Sequence, residues 1–376
     1  MKKILLTATV QSHIAQFHLP LIKMLKDNGC KVHVAARDNL AEKNGLKIDG
    51  ADKIFDISFE RSPINKKNIK AYKQLKEIFS NNNYDIVHCN TPMGGVITRL
   101  AAKAARKNGT KVFYTAHGFH FYKGAPLKNW IVYYPIEKWL AKYTDKLITI
   151  TNEDHELSTK KFKSDTYHVH GVGVNSKKYF LLNAEDRAAL VNQLGYSQDQ
   201  FLILCTGELN KNKNQSTLIK AIAEISKEYS NIKLLLAGNG PMEYELKSIV
   251  ESLEISDLVD FLGYRTDLEK FVNVCDLVVS ASFREGLPLN IMEAMLCRKP
   301  VIASINRGHK ELVKNNVTGF LVNPFDEREF VSSILQLIRN KEQAISFGKN
   351  GFKFVQPFTE ENVINDLIKI YELNSK

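Results

Sequence analysis

Asp276-Leu277-Val278-Val279-Ser280-Ala281-Ser282-Phe283-Arg284-Glu285-Gly286-Leu287-Pro288-Leu289-Asn290-Ile291-Met292-Glu293-Ala294-Met295 decides the fold, together with Lys299-Pro300-Val301-Ile302-Ala303 just downstream. The apolar run 276–280 reads as a buried parallel strand. Lys299-Pro300 closes a helix, and Val301 opens another strand. The unit is therefore strand, short loop, helix, strand. Glu285 falls in the loop at the carboxyl end of a strand, where open parallel sheets bind ligands. Glu293 falls within the following helix. Pro288 suits a first helical position, since its missing N–H would be unpaired there anyway. The next amides, Leu289 and Asn290, would point at a bound anion. Carboxylates on both sides of an anion-binding helix start suit a ligand whose hydroxyls flank a phosphate. A nucleotide sugar is such a ligand.

The chain has 376 residues, 44% of them apolar and 25% charged, a globular composition long enough for two domains. Its net charge of +11 is uneven. Residues 1–180 hold 30 Lys and Arg against 15 Asp and Glu; the remainder holds 22 against 26. A basic half suggests an anionic lipid surface, nucleic acid or an acidic substrate. A solvated, Lys-rich surface is the competing reading. The five cysteines show no metal or redox spacing, and they read as reduced core residues of a cytosolic protein. Met1-Lys2-Lys3-Ile4-Leu5-Leu6 resembles the start of a signal peptide, but its apolar run is short and reads better as a first strand. No run reaches the ~18 apolar residues of a membrane span.

Strand-like runs at residues 4–8, 32–36, 54–57, 84–89, 112–116, 147–150 and 167–169 alternate with amphipathic segments such as 19–26, 67–79 and 96–107. A second series lies at 201–205, 232–237, 259–262, 277–280, 301–303 and 320–322. This is the pattern of two doubly wound α/β domains. They are expected at 1–172 and 185–357, with a linker at 171–184. An amphipathic C-terminal helix in 358–376 is free to pack on either domain.

Several strand ends carry chemistry. Gly207-Glu208-Leu209-Asn210-Lys211-Asn212-Lys213-Asn214-Gln215 places lysines where a diphosphate would bind; a leaving nucleoside diphosphate develops charge that an ammonium stabilises. A solvated turn is the alternative. Gly238-Asn239-Gly240 lets backbone approach a ligand, or is an ordinary tight turn. Gly263-Tyr264-Arg265 could line a base pocket or simply pack. His117, before Gly118, sits at a sharp strand exit, where a histidine is either structural or catalytic. Gly94 and Gly95 open a helix at the preceding strand's rim. Two stretches suit a lipid headgroup layer. One is the basic amphipathic segment 66–76. The other is 127–143, which interleaves Trp130, Tyr133, Tyr134, Trp139 and Tyr143 with lysines. A surface helix with a buried aromatic side is the plain alternative.

Together these residues resemble the family 4 retaining glycosyltransferases of the GT-B fold, two Rossmann-like domains facing across a cleft. The likeness covers the whole chain. It is most specific at Glu285 and Glu293, which match the family's E-x7-E element, and it is nearest to bacterial enzymes of capsule and exopolysaccharide assembly. The resemblance implies that Glu293 binds the donor's ribose and Glu285 its sugar. Lys213 matches the phosphate lysine, and His117 the histidine beside the transferring sugar. Gly263, Tyr264 and Arg265 match the base-binding strand end. Gly240, Leu287, Leu289 and Asn290 complete the candidate donor set. His13, Gly94, Gly95 and His120 are candidates for the acceptor side. Three departures stand out: Glu208 where an arginine is usual, Pro288 where glycine is common, and Thr9-Val10-Gln11-Ser12-His13 in place of a glycine pair.

The function expected is transfer of a sugar from a UDP-linked donor to a lipid-linked oligosaccharide at the cytoplasmic face of the plasma membrane. No cofactor and no metal is expected, since the sequence shows no metal-ligand cluster. The expected partners are the donor, the acceptor and anionic lipid, not nucleic acid. Rival readings are a sugar-nucleotide epimerase and a non-catalytic nucleotide-sugar sensor.

Overall fold

Thirteen strands form two all-parallel sheets in the structure, a computed structural model that describes residues 1–41 and 45–373. The first sheet contains β1 (Lys3–Val10), β2 (Lys31–Arg37), β3 (Lys53–Asp56), β4 (Ile86–Asn90), β5 (Lys111–Ala116), β6 (Lys146–Thr149) and β7 (Asp165–His168), in the order β3-β2-β1-β4-β5-β6-β7. The second contains β8 (Phe201–Thr206), β9 (Ile232–Ala237), β10 (Val259–Gly263), β11 (Leu277–Ser280), β12 (Val301–Ser304) and β13 (Gly319–Val322), in the order β10-β9-β8-β11-β12-β13. Both are the doubly wound order, whose direction reverses once: between β1 and β4, and between β8 and β11.

Unbroken apolar runs make the central strands because each sheet is covered on both faces there, whereas the edge strands β3 and β7 are partly exposed and more polar. In β1, Ile4 and Leu6 pack with Leu21, Ile22 and Leu25, while Leu5 faces Ala71, Leu75 and Ile97 on the other side. In β8, Ile203 meets Leu218, Ile222 and Phe330, while Leu202 and Leu204 meet Val272, Met292 and Met295. Truncating any one of these to alanine is worth ~2–5 kcal/mol.

The chain divides into two units, one of residues 1–173 with 360–376 and one of residues 174–359. The first includes the helix Glu360–Ile370, whose Val363, Leu367 and Ile370 join the Ile4 cluster with Tyr371. Tyr371 Oη is 2.5 Å from His88 Nδ1, and Lys146 Nζ donates to Ile370 O at 2.6 Å. The last three residues of the chain lie outside those described. Of the stretch read as a linker, residues 171–173 belong to the first unit and the rest to the second.

Three local expectations need correction. Residues 9–13 are not an open loop: β1 runs to Val10 and the helix Gln11–Phe17 follows at once. Burial of Ile14 and Ala15 against the sheet drives this, although Gln11-Ser12-His13 shows no apolar period. The segment 96–107 is not one helix, because it breaks at Ala102 into Pro92–Ala101 and Lys103–Lys107. Pro288 is an extended N-cap (φ −76°, ψ 120°), and the helix is Leu289–Leu296.

Candidate functional site

In the second unit, β8 and β11 flank the reversal, and each sends a loop to the same rim. The two loops are tied together. Phe283 N–H donates to Asn212 O at 2.8 Å, and Asn212 Nδ2 donates to Arg284 O at 3.0 Å. Asn214, in left-handed geometry (φ 55°), donates through Nδ2 to Pro324 O at 2.9 Å. This clamp brings Lys213 Nζ to 2.7 Å from Glu285 Oε1, with both side chains mostly shielded from water. Gly207 makes room for the lysine: a Cβ there would stand 2.9 Å from Lys213 Cε.

The Glu285 loop is braced from behind. Ser282 O accepts from Ser304 Oγ at 2.5 Å and from Asn306 Nδ2 at 2.8 Å. His309 Nδ1 donates to Ser304 O at 2.6 Å, so its Nε2 accepts from Ser280 Oγ at 3.1 Å. Burial pushes His309 down to about 4, so it stays neutral as that geometry needs. Gly308 abuts the same loop, since a Cβ would meet Gly286 O at 2.2 Å.

Glu293 lies in the helix Leu289–Leu296 that follows this loop. Burial pushes its carboxyl up to about 7, against the lowering effect of a hydrogen bond from Tyr179 and the charge of Lys178. Asn290 Oδ1 accepts from Ile291 N–H at 3.0 Å, which leaves the Leu289 and Asn290 amides heading the helix. Leu287 is half-buried beside them.

The remaining donor candidates divide. Gly240 is needed by a close backbone approach, because a Cβ would lie 2.3 Å from Leu209 O. Gly263 takes φ 64°. Tyr264 is exposed, and Arg265 is held in a two-pronged pair with Asp267 (2.8 and 2.7 Å). Glu208 is exposed and accepts from Asn210 Nδ2 at 2.8 Å. It therefore does not replace the cation its position would supply in the family, and Arg265 is already committed elsewhere.

In the first unit the corresponding rim is lined by imidazoles. His117 Nε2 lies 3.1 Å from Asn90 Oδ1, at the ends of β5 and β4. His13, on the Gln11–Phe17 helix, stacks edge-on against His117 with centroids 5.0 Å apart. His18 Nε2 is 3.3 Å from His13 Nε2. Burial pushes His13 down to about 4 and holds His18 and His117 well below their usual range. Gly94 and Gly95 have packing reasons: a Cβ on Gly94 would crowd Thr91 and Ala8, and one on Gly95 would strike the Tyr114 ring at 2.5 Å. His120 is exposed and lies over Tyr133, with centroids 4.8 Å apart.

The sequence reading named His13 and His117, and the structure brings them together. It missed His18 beside them, and in the second unit Tyr179 and His309; Asn90 stood in a rim stretch it singled out, but without a role. The pair His13 and His18 carried a faint signal in their five-residue spacing. Tyr179 carried none.

The family model described as "Glycosyl transferases group 1" matches residues 186–354, and the one described as "Glycosyl transferase 4-like" matches residues 3–152. The chain is 41% identical over 372 residues to EpsD of Bacillus subtilis (strain 168), covering 98% of this chain and 96% of that protein. It belongs to the group 1 glycosyltransferases. This glycosyltransferase is also 28% identical to the UDP-Gal:alpha-D-GlcNAc-diphosphoundecaprenol alpha-1,3-galactosyltransferase of Escherichia coli, over 82% of this chain and 79% of that enzyme. In fold it is similar to the sucrose-phosphate synthase of Thermosynechococcus elongatus, with a TM-score of 0.79 at 20% identity, covering 99% of this chain and 98% of that one. The glycosyltransferase thus has the GT-B pair of parallel-sheet α/β domains.

Proposed function

We propose that this glycosyltransferase moves a sugar from a UDP-linked donor to a lipid-linked saccharide, with retention of anomeric configuration and no metal or organic cofactor in the transfer step. The observation that carries the reading is the shielded Lys213–Glu285 pair at the second unit's reversal point, with the buried Glu293 on the helix that follows the Glu285 loop. A diphosphate arriving there would take the ammonium, and Glu285 would be released to accept from sugar hydroxyls. Lys213 and the Leu289 and Asn290 amides would then neutralise the leaving UDP. Glu293 would accept from the ribose. His117, taken by itself in the first unit, offers a neutral imidazole that can donate to and accept from a sugar hydroxyl. The Escherichia coli relative, whose name gives a UDP-sugar donor and a diphosphoundecaprenol acceptor, supports the same substrate classes here.

The acceptor's lipid supports a place on an anionic membrane surface, at its cytoplasmic face. No helix among the described residues is long and apolar enough to cross a membrane. The helix Leu127–Leu140 instead exposes Leu127 (73%), Ile131 (65%), Ile136 and Trp139. Trp130 and Tyr134 turn inward onto Phe121. Lys103 lies over the rings of both Trp139 and Tyr143. Apolar anchors among lysines fit a headgroup layer.

The test is thermal stabilisation by UDP-, GDP-, ADP- and dTDP-sugars. A ligand at a hundredfold its dissociation constant adds ~2.7 kcal/mol, a rise of a few degrees. UDP-sugars are expected to give it. A rise with another base alone reassigns the donor, and no rise with any sinks the donor reading.

A further inference from the structure

Three imidazoles meet in the first unit. His13 comes from the helix Gln11–Phe17, and His18 from the joint between that helix and Leu19–Asp27. His117 follows β5 and precedes Gly118, whose φ of 116° turns the chain sharply. One ring nitrogen from each lies within 4.8 Å of the others. Among the described residues no carboxylate belongs to the group.

We propose that His13, His18 and His117 form a binding site for one divalent transition-metal ion of the zinc class. Tetrahedral zinc with nitrogen ligands at ~2.0–2.1 Å separates those ligands by ~3.3–3.4 Å. His13 Nε2 and His18 Nε2 stand at 3.3 Å, so one pair is already at ligand spacing. The proton they share would move to the far nitrogen of its own ring, and the ion would take its place between the two lone pairs. His117, within 4.8 Å of the other two, would close by up to ~1.5 Å to complete the face. Its Nε2 faces Asn90 Oδ1, an atom that only accepts, so Nε2 carries the hydrogen and Nδ1 the lone pair. A hydrogen bond of that kind fixes the tautomer and orientation of a metal-binding histidine.

A water could stand beside two of the three rings. A cavity of about 30 Å³ is lined by His18, His88, Thr115, His117, Ile364 and Leu367, large enough for a water molecule. An all-imidazole set favours zinc, cobalt, nickel or copper and disfavours magnesium and calcium, which take oxygen ligands. Burial keeps the three rings uncharged, the state in which they can ligate. Arg61, whose charge acts on His13, opposes a cation and limits the affinity.

The site lies wholly in the first unit and does not depend on the donor reading. If His117 does serve the transferring sugar, a bound ion would withdraw it from that task, and the enzyme would be metal-inhibited.

The full-length protein, stripped with chelator and free of donor, is titrated with Co²⁺ and then Zn²⁺. One Co²⁺ per chain with the intense visible bands of tetrahedral coordination, displaced by one Zn²⁺, is the expected result. His13→Asn and His18→Asn should each weaken Co²⁺ binding at least tenfold, while His170→Asn should not. Near-ultraviolet circular dichroism checks that the variants fold. Wild-type protein without a tetrahedral cobalt spectrum overturns the site regardless of any variant. So does binding that survives in folded His13→Asn and His18→Asn.

Discussion

Around β1 and β4 of the first unit the rim side chains are neutral imidazoles; around β8 and β11 of the second they are an ammonium and two carboxylates. The strand order at the two reversal points is the same. Burial acts on both rims, but in opposite directions. It lowers the histidines and raises Glu293, because in each case it disfavours the charged form. The first rim thus keeps its imidazoles uncharged, with the Arg61 charge acting on His13 in the same direction. The second keeps it by pairing Lys213 with Glu285. The comparison teaches that the shared scaffold fixes where chemistry sits, while a few loop residues fix its sign.

The contrast breaks first at Lys213. Lys213→Ala removes the cation and strands Glu285, and turnover with the donor should fall about a hundredfold or more, ~2.7 kcal/mol or above. Turnover within threefold of wild type would remove the lysine from the charged rim.

A second test uses the opposite signs of titration. Below pH 4.5 Glu293 is protonated whether folded or unfolded, and its contribution is fully present. Between 4.5 and about 7 the folded protein keeps a proton that the unfolded chain has released, so stability falls as pH rises. The loss approaches ~3 kcal/mol by pH 7 at most. The histidines act the other way, since stability rises as pH climbs through the window from about 4 to 6.5. Denaturant melts of Glu293→Gln against wild type across this range should differ with the sign given for Glu293. Parallel curves would mean that its carboxyl titrates normally.

Third, Glu293→Ala should weaken donor binding at least tenfold by calorimetry, about 1.4 kcal/mol. An unchanged affinity would sink the ribose role. The smallest effect is at the membrane. Vesicles with anionic lipid should sediment the protein at low salt and release it at high salt, each lysine near the surface being worth ~1 kcal/mol. Equal binding to neutral vesicles would assign the attachment to the Ile131 and Trp139 face rather than to charge.

Much of the scaffold was legible. Each apolar run picked out along the chain overlaps a strand of the structure; for the central strands this is because burial on both faces demands continuous apolar sequence, while the edge strands β3 and β7 are only partly buried. Glu285 and Glu293 were legible for a related reason: a strand, a loop and a helix in twenty residues leave little freedom in where each falls. The helix Gln11–Phe17 was not. Its first three residues are polar and its apolar side is only Ile14 and Ala15, so what makes it helical is the surface it covers. Tyr179 was hidden because nothing near it in sequence hints at Glu293.

By itself, then, the sequence determined the alternation of strands and helices, the two-domain division and the carboxylate pair at a strand's end, since all of these rest on periods and turns that act over a few residues. Only the tertiary structure decided that Lys213 would meet Glu285 across 72 residues, that His13, His18 and His117 would share one corner, and that the Glu360–Ile370 helix would join the first unit. Those meetings depend on which strand lies beside which, and that choice is made by burying whole faces rather than by any local signal.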